Sequence, residues 1–377
     1  MLNIIGYALL TFLLFVAERK LYCILWNRHL HIRLEFAEKS LFEGEKGTLS
    51  EIIENGKRLP LPMLKVKFQT DRHLEFTDTA SSKVTDLYYR NDIFQIRGKE
   101  RITRKLEFIA AKRGYYRIQN IDLVTADLFL STEYVESQTT KRYLYVYPRP
   151  FLPKELIQSL QQINGEILAK RRFVEDPFEY RGIREYQPYD DMRSINWKAT
   201  AKTGELKVNQ KNYTSLQTIR IFFNLEDTGI LKKEGAVEAS LRIVAGLAAF
   251  YLNQGIRVSC FGNGQDIANG TPMQVEAGSG AGQMQQIYQA LARVDTAAKP
   301  LDFVSLFERR LMQDANGTIT LLVSPNAYDD FVSLLSRCKK QDLTFVWFYP
   351  TLEKEEPEVV DTLRHNIKIL HISDDRK

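Results

Sequence analysis

The chain has 377 residues, 44% of them hydrophobic, and a formal net charge of +5. That length suggests two or three domains, each apolar enough to bury a core, and the even scatter of Lys and Arg among Asp and Glu argues against a nucleic-acid partner. The three cysteines, Cys23, Cys260 and Cys338, are odd in number and far apart, which argues against a secreted disulfide framework and fits a reducing compartment.

The first predicted element is a membrane anchor over residues 1–26. Leu2 to Ala17 carries no charge, and a helix of that length spans roughly 24 Å against a hydrocarbon core of roughly 30 Å. After Glu18-Arg19-Lys20 the apolar character resumes in Leu21 to Trp26. The stems of Arg19 and Lys20 can snorkel, and Trp26 is expected at the interface. The leading residues are uncharged and Phe15-Val16-Ala17 is a poor cleavage site, so the segment reads as an uncleaved anchor. Arg19, Lys20, Arg28 and Arg33 follow it, which by the positive-inside rule leaves the bulk of a single-pass chain in the cytoplasm.

Residues 27–150 alternate with period two. Leu64, Val66 and Phe68 oppose Lys65, Lys67 and Gln69, and Leu106 and Phe108 flank Glu107. With turn signals at Asn55-Gly56 and Arg113-Gly114, this predicts an antiparallel β-sandwich. Leu59-Pro60-Leu61-Pro62 is expected at an edge or linker, because proline cannot donate inside a central strand.

Residues 151–216 form a linker with a polar helix pattern after Lys154, followed by a dense charged and aromatic segment. Residues 217–377 then change rhythm. Strands are expected at Thr218–Phe223, Arg257–Phe261, Ile319–Val323, Leu343–Tyr349 and Ile367–Ile372. Helices are expected between them, the first with Val237, Leu241, Val244, Ala245, Ala248 and Leu252 on one face. Strands alternating with helices mean a mostly parallel sheet covered on both faces. The fold class is thus α/β plus all-β.

The dense segment holds Gly182, Arg184, Glu185, Tyr186, Asp190, Asp191, Ile195, Trp197, Lys198, Ala199, Thr200 and Ala201. That pattern resembles the signature of the domain of unknown function 58 family. Arg113-Gly114-Tyr115-Tyr116 and Tyr147-Pro148 resemble further landmarks of that family. The resemblance implies a C-terminal domain similar to a von Willebrand factor type A domain, and partnership with a MoxR-type AAA+ ATPase in a chaperone-like module.

Two physical readings of the segment stay open, with acid/base work by Asp190-Asp191 as a third. In one, Arg184 and Arg193 pair with Asp190, Asp191 or Glu185 while Trp197 plugs the seam between domains. In the other, Tyr, Trp and Arg form a docking surface. Adjacent residues in an extended stretch face apart, which disfavours the acid/base reading.

A type A domain carries a divalent-metal site above its sheet, usually Asp-x-Ser-x-Ser. The corresponding positions are Asn224-Leu225-Glu226-Asp227-Thr228. Asn224 and Thr228 still offer oxygens, but the leading carboxylate is absent and Glu226 is longer than the serine it replaces. The loop reads as degenerate, with no metal or cofactor. Gly278-Ser279-Gly280-Ala281-Gly282 lacks the Gly-Lys-Ser/Thr of a phosphate loop, and His29-x-His31 is an isolated pair. No hydrolase, metalloprotease or redox motif is present.

The expected function is therefore a membrane-anchored, non-enzymatic interaction or scaffold protein. The alternative is a metal-dependent extracellular ligand-binding or adhesion protein.

Overall fold

The computed structural model describes residues 2–154, 156–161, 180–187, 190–211, 218–226, 234–311, 318–341, 343–351, 357 and 360–372. It divides into two compact units, Met1–Arg149 with Leu291–Arg293, and Pro150–Ala290 with Val294–Lys377.

The first unit opens with helix α1, Leu2–Leu25. Its apolar residues from Ile4 to Leu14 are exposed on every side of the helix. A helix apolar all round is at home in a core or a bilayer, not in water. The helix continues through Glu18-Arg19-Lys20, and its end packs against protein. Tyr22 and Trp26, one turn apart, are buried in the core of the first unit. The Tyr22 hydroxyl donates to the Pro60 carbonyl at 2.8 Å, and Trp26 stacks against Tyr134. Trp26 is therefore a core residue rather than an interfacial one. His29, at φ +51, ends the turn that follows the helix.

Ten strands follow: β1 Leu30–Phe36, β2 Ser40–Phe42, β3 Lys46–Asn55, β4 Leu61–Asp71, β5 Leu74–Phe76, β6 Ser82–Val84, β7 Leu87–Ile96, β8 Glu100–Ala110, β9 Gly114–Ala126 and β10 Glu133–Tyr147. They form a four-stranded sheet, β1-β3-β8-β5, and a six-stranded sheet, β2-β10-β9-β4-β7-β6. All pairs are antiparallel except β10 with β2. Period-two alternation sends Leu49 and Ile53 of one sheet and Leu64, Val66, Leu144 and Val146 of the other into one core. Pro62 departs from expectation by sitting at the start of β4, between β9 and β7 in the six-stranded sheet. The register slips between Leu61 and Leu64, and a bulge there needs no ladder donor from proline.

The second unit begins with a small module: β11 Tyr180–Glu185, a 3-10 turn Met192–Ser194, α2 Trp197–Thr203 and β12 Lys207–Lys211. Most of the linker after Lys154 lies outside the described residues. Then come β13 Thr218–Phe223, α3 Glu234–Leu252, β14 Arg257–Asp266, β15 Pro272–Gly278, α4 Gly280–Arg293, β16 Val294–Asp295, α5 Phe303–Leu311, β17 Thr318–Val323, α6 Asp329–Lys340, β18 Phe345–Thr351, a 3-10 turn Asp361–Asn366 and β19 Ile367–His371.

The sheet order is β15-β14-β13-β17-β18-β19, with β16 also on β14. The run from β14 to β19 is parallel, while β15 and β16 are antiparallel to β14. The chain starts in the middle at β13, moves out through β14, and returns to the other side at β17. Ligands of open α/β sheets enter beyond the strand ends at such a reversal. Helix α3 has a mean hydropathy of 1.4 and is long enough to cross a membrane, but 72% of that stretch is buried, as in a core helix.

Candidate functional site

The signature residues assemble on the β11–β12 hairpin and α2. The two strands pair antiparallel, Ile183 with Asn209, Arg184 with Val208 and Glu185 with Lys207. Gly182 marks a register slip between Tyr180 and Gly182; no atom lies within 4 Å of the Cβ it lacks, so a bulge rather than crowding accounts for it. Ile195 bridges Val208 from the far side of β12, and both are buried.

The two aspartates do different work. Asp190 accepts both guanidinium prongs of Arg184, at 2.7 and 2.6 Å, and the backbone N–H of Gln187 at 2.8 Å. Those hydrogen bonds, the Arg184 guanidinium foremost, hold the Asp190 carboxyl below the usual carboxylate range. Asp191 accepts the Arg193 N–H at 3.0 Å and starts the 3-10 turn. Asp190 and Asp191 thus serve different partners and do not act as one carboxylate pair. Glu185 pairs with Lys207 at 3.2 Å, and Glu185 and Glu205 together raise the Lys207 pKa. Tyr186 donates its backbone N–H to Leu206.

Helix α2 is too short to stand alone, and its stability comes from its ends. Asn196 accepts the Ala199 N–H at 2.9 Å and donates to Asn209 at 2.7 Å. Gly204, at φ +75, closes the other end through a bond to Thr200. The Thr200 hydroxyl accepts the Lys207 N–H at 3.0 Å. Asn before the helix and Gly after it are ordinary start and stop signals, legible in Asn196-Trp197-Lys-Ala-Thr-Ala-Lys-Thr-Gly204 but missed in the sequence reading.

This frame presents apolar side chains to solvent. Trp197 is 66% exposed and Met192 64%, and Ile183 and Leu206 are also exposed. Trp197 is therefore not buried within its own module. Lys198 and Arg193 are exposed with it.

At the strand-order reversal, Asn224, Leu225 and Glu226 follow β13 and Ser324 to Asn326 follow β17; Asp227 and Thr228 lie outside the described residues. Glu226 accepts the Phe303 N–H at 3.1 Å and the Tyr328 hydroxyl, and its carbonyl accepts the Asn326 amide. Burial, reinforced by Glu226, pushes the Tyr328 phenol pKa far up. Asn224 Oδ1 accepts the Glu226 N–H and the Asn263 amide, both at 2.9 Å, while Asn263 Oδ1 accepts the Leu225 N–H at 2.8 Å. Among the described residues of the loop, the Asn224 side-chain oxygen and the Glu226 carboxylate are thus engaged by protein donors. Among the described residues, no group of three or more His, Cys, Asp or Glu side chains has metal-binding geometry.

The glycine-rich stretch is filled from within. Gln283 donates to the carbonyls of Val258 and Glu276, at 2.9 and 2.7 Å, and its carboxamide lies where a Cβ on Gly278 would sit. Cys260 and Cys338 are core residues; burial raises both thiol pKa values, Cys338 to about 11.

Residues 182–362 match the family model described as "Protein of unknown function DUF58". No curated protein matches the chain. Among solved structures, a CARDB domain from Pyrococcus furiosus is 12% identical over 30% of this chain and 89% of that one, with a TM-score of 0.20. A cohesin from Acetivibrio cellulolyticus scaffoldin B is 12% identical over 30% and 98%, at 0.23. The sporulation control protein Spo0M of Bacillus subtilis is 9% identical over 42% and 58%, at 0.19. These likenesses are too slight to carry a functional argument.

Proposed function

The chain belongs to the domain of unknown function 58 family, and from that premise we propose that it is a membrane-anchored, non-enzymatic interaction protein that works with a MoxR-type AAA+ ATPase. In this reading α1 is the anchor, the two sheets of the first unit are a β-sandwich, and the second unit is a von Willebrand factor type A-like domain. The bulk of the chain lies on the cytoplasmic side. The ATPase is an implication of the family resemblance. The strand order, which reverses between β13 and β17 and ends in the antiparallel edge strand β15, supports the type A reading.

One observation carries the interaction role. Trp197 and Met192 stand exposed on a module whose turn, helix start and helix end are each held by a specific hydrogen bond. Exposed aromatic and sulfur-bearing side chains cost little further ordering on binding when their frame is fixed beforehand, and tryptophan is a leading interface anchor. The engagement of Glu226 and Asn224 by protein donors weighs against the metal-dependent adhesion reading.

Crosslinked pull-down of the full chain from its native membranes tests the proposal. A MoxR-type ATPase is expected among the captured proteins; its consistent absence contradicts the partnership. A reporter fused after Lys377 tests topology, and activity restricted to a periplasmic reporter contradicts the cytoplasmic placement.

A further inference from the structure

We propose that the β9–β10 turn, Leu128-Phe129-Leu130, is a second membrane contact that enters the lipid interface beside α1. The inference rests on α1 being the anchor and adds to it a named lipid-binding element in the first unit.

All three side chains are exposed, Phe129 by 64%. Three consecutive large apolar residues at a hairpin tip are unfavourable in water, and such a patch marks a contact surface. The turn is held in that shape. Asp127 is buried and accepts the Ser131 N–H at 2.7 Å and the Ser131 hydroxyl at 2.5 Å, while Leu130 donates to the Asp127 carbonyl at 3.0 Å. Leu130 is kept at φ +55, a left-handed conformation that a branched side chain rarely adopts. Strain held in place by its surroundings points to use rather than looseness.

The tip lies against α1 within the same unit. The Phe129 and Phe15 rings are 5.6 Å apart, and the Leu128 N–H donates to Glu18 Oε1 at 2.8 Å. Phe15 and Glu18 bracket the end of the charge-free run, where an anchor helix leaves the hydrocarbon for the headgroups. Below that level Tyr134 donates to the Arg19 carbonyl at 3.0 Å, and Tyr22 and Trp26 lock the helix into the core. Helix and tip therefore present one apolar front at one depth, followed by Arg19 and Lys20, which suit anionic headgroups. A bilayer is the occupant that this front fits, because α1 already commits it to lipid. The run from Leu2 to Ala17 is also short for a full span, and a shallow wedge beside a short helix accommodates local thinning of the bilayer.

The test reconstitutes the full chain in phosphatidylcholine–phosphatidylglycerol vesicles with or without brominated acyl chains, and follows flotation and tryptophan emission together. Phe129→Trp places a reporter at the tip. Val84→Trp places one at the other end of the same sheet, because Val84 pairs with Tyr88 and Tyr88 with Thr70, about 20 Å along β4 from the Leu64–Thr125 pair next to the tip. Relative to the parent protein, the emission added at 129 is expected to fall at least twofold in brominated vesicles, while that at 84 stays unchanged. Floating vesicles with an unquenched reporter at 129 overturn the proposal and leave the anchor standing. Equal quenching at both positions also overturns it. Failure of the parent chain to float overturns both readings.

Discussion

Arg184 and Asp190 clasp the signature turn through two parallel hydrogen bonds, Nη1 to Oδ2 at 2.7 Å and Nη2 to Oδ1 at 2.6 Å. The clasp ties β11 to Asp190, just ahead of the 3-10 turn that precedes α2. Because the folded pKa of Asp190 is depressed, its contribution is complete above the unfolded value of about 3.9 and is lost as pH falls through the folded value. Asp190→Asn is expected to speed hydrogen exchange at the Gln187 amide at neutral pH, where the parent stays protected. Equal exchange in the two proteins would show that the clasp does not hold the turn.

Trp197→Ala is expected to shift thermal stability by no more than about 0.5 kcal/mol, since the side chain is 66% exposed. Asn196→Ala, one residue earlier, removes the cap of α2 and is expected to cost about 1 kcal/mol. Paired melting curves decide. A large loss from Trp197→Ala would place the ring in a buried contact.

Glu226→Ala strips partners from the Tyr328 hydroxyl and the Phe303 N–H, and is expected to destabilise by about 1–3 kcal/mol. Tyr328→Phe in that background should recover part of the loss. Magnesium or manganese is expected to leave the parent melting temperature unchanged; a concentration-dependent rise would revive the metal reading.

Glu51 is buried beside Asp92 inside the first unit, where Arg90 and Arg104 both bond Asp92. Burial first, and then the Asp92 charge, raise the Glu51 pKa to about 8. A raised carboxyl favours the protonated fold: the stabilisation is full below the unfolded pKa and disappears as pH rises through about 8. Stability is expected to fall by roughly 1 kcal/mol per pH unit from about pH 5 to 8, and Glu51→Gln should flatten that slope. Identical pH profiles for parent and variant would remove Glu51 as the cause.

The sequence exposed the elements with long, clean periods and concealed those fixed by contacts between segments. The apolar spacing from Val237 to Leu252 marked α3, and Thr218–Phe223 was found to the residue. Strand β15 was missed because its alternation, Met273 and Val275 inward, covers few residues. The sequence leaves open how the helix runs past Glu18-Arg19-Lys20, because those charges hide that Tyr22 and Trp26, one turn apart, face a protein core. Residue type pointed to the signature segment, yet the exposure of Trp197 depends on which face of a short capped helix it occupies. Nothing in its neighbours' chemistry sets that face.

The central claim is that this chain holds a partner protein near a bilayer through the Trp197 surface. The most direct measurement titrates a purified MoxR-type ATPase onto the full chain in vesicles and compares the parent with Trp197→Ala. The account predicts at least tenfold weaker binding for the variant at an unchanged melting temperature. Equal affinity, or no binding by the parent, would contradict it.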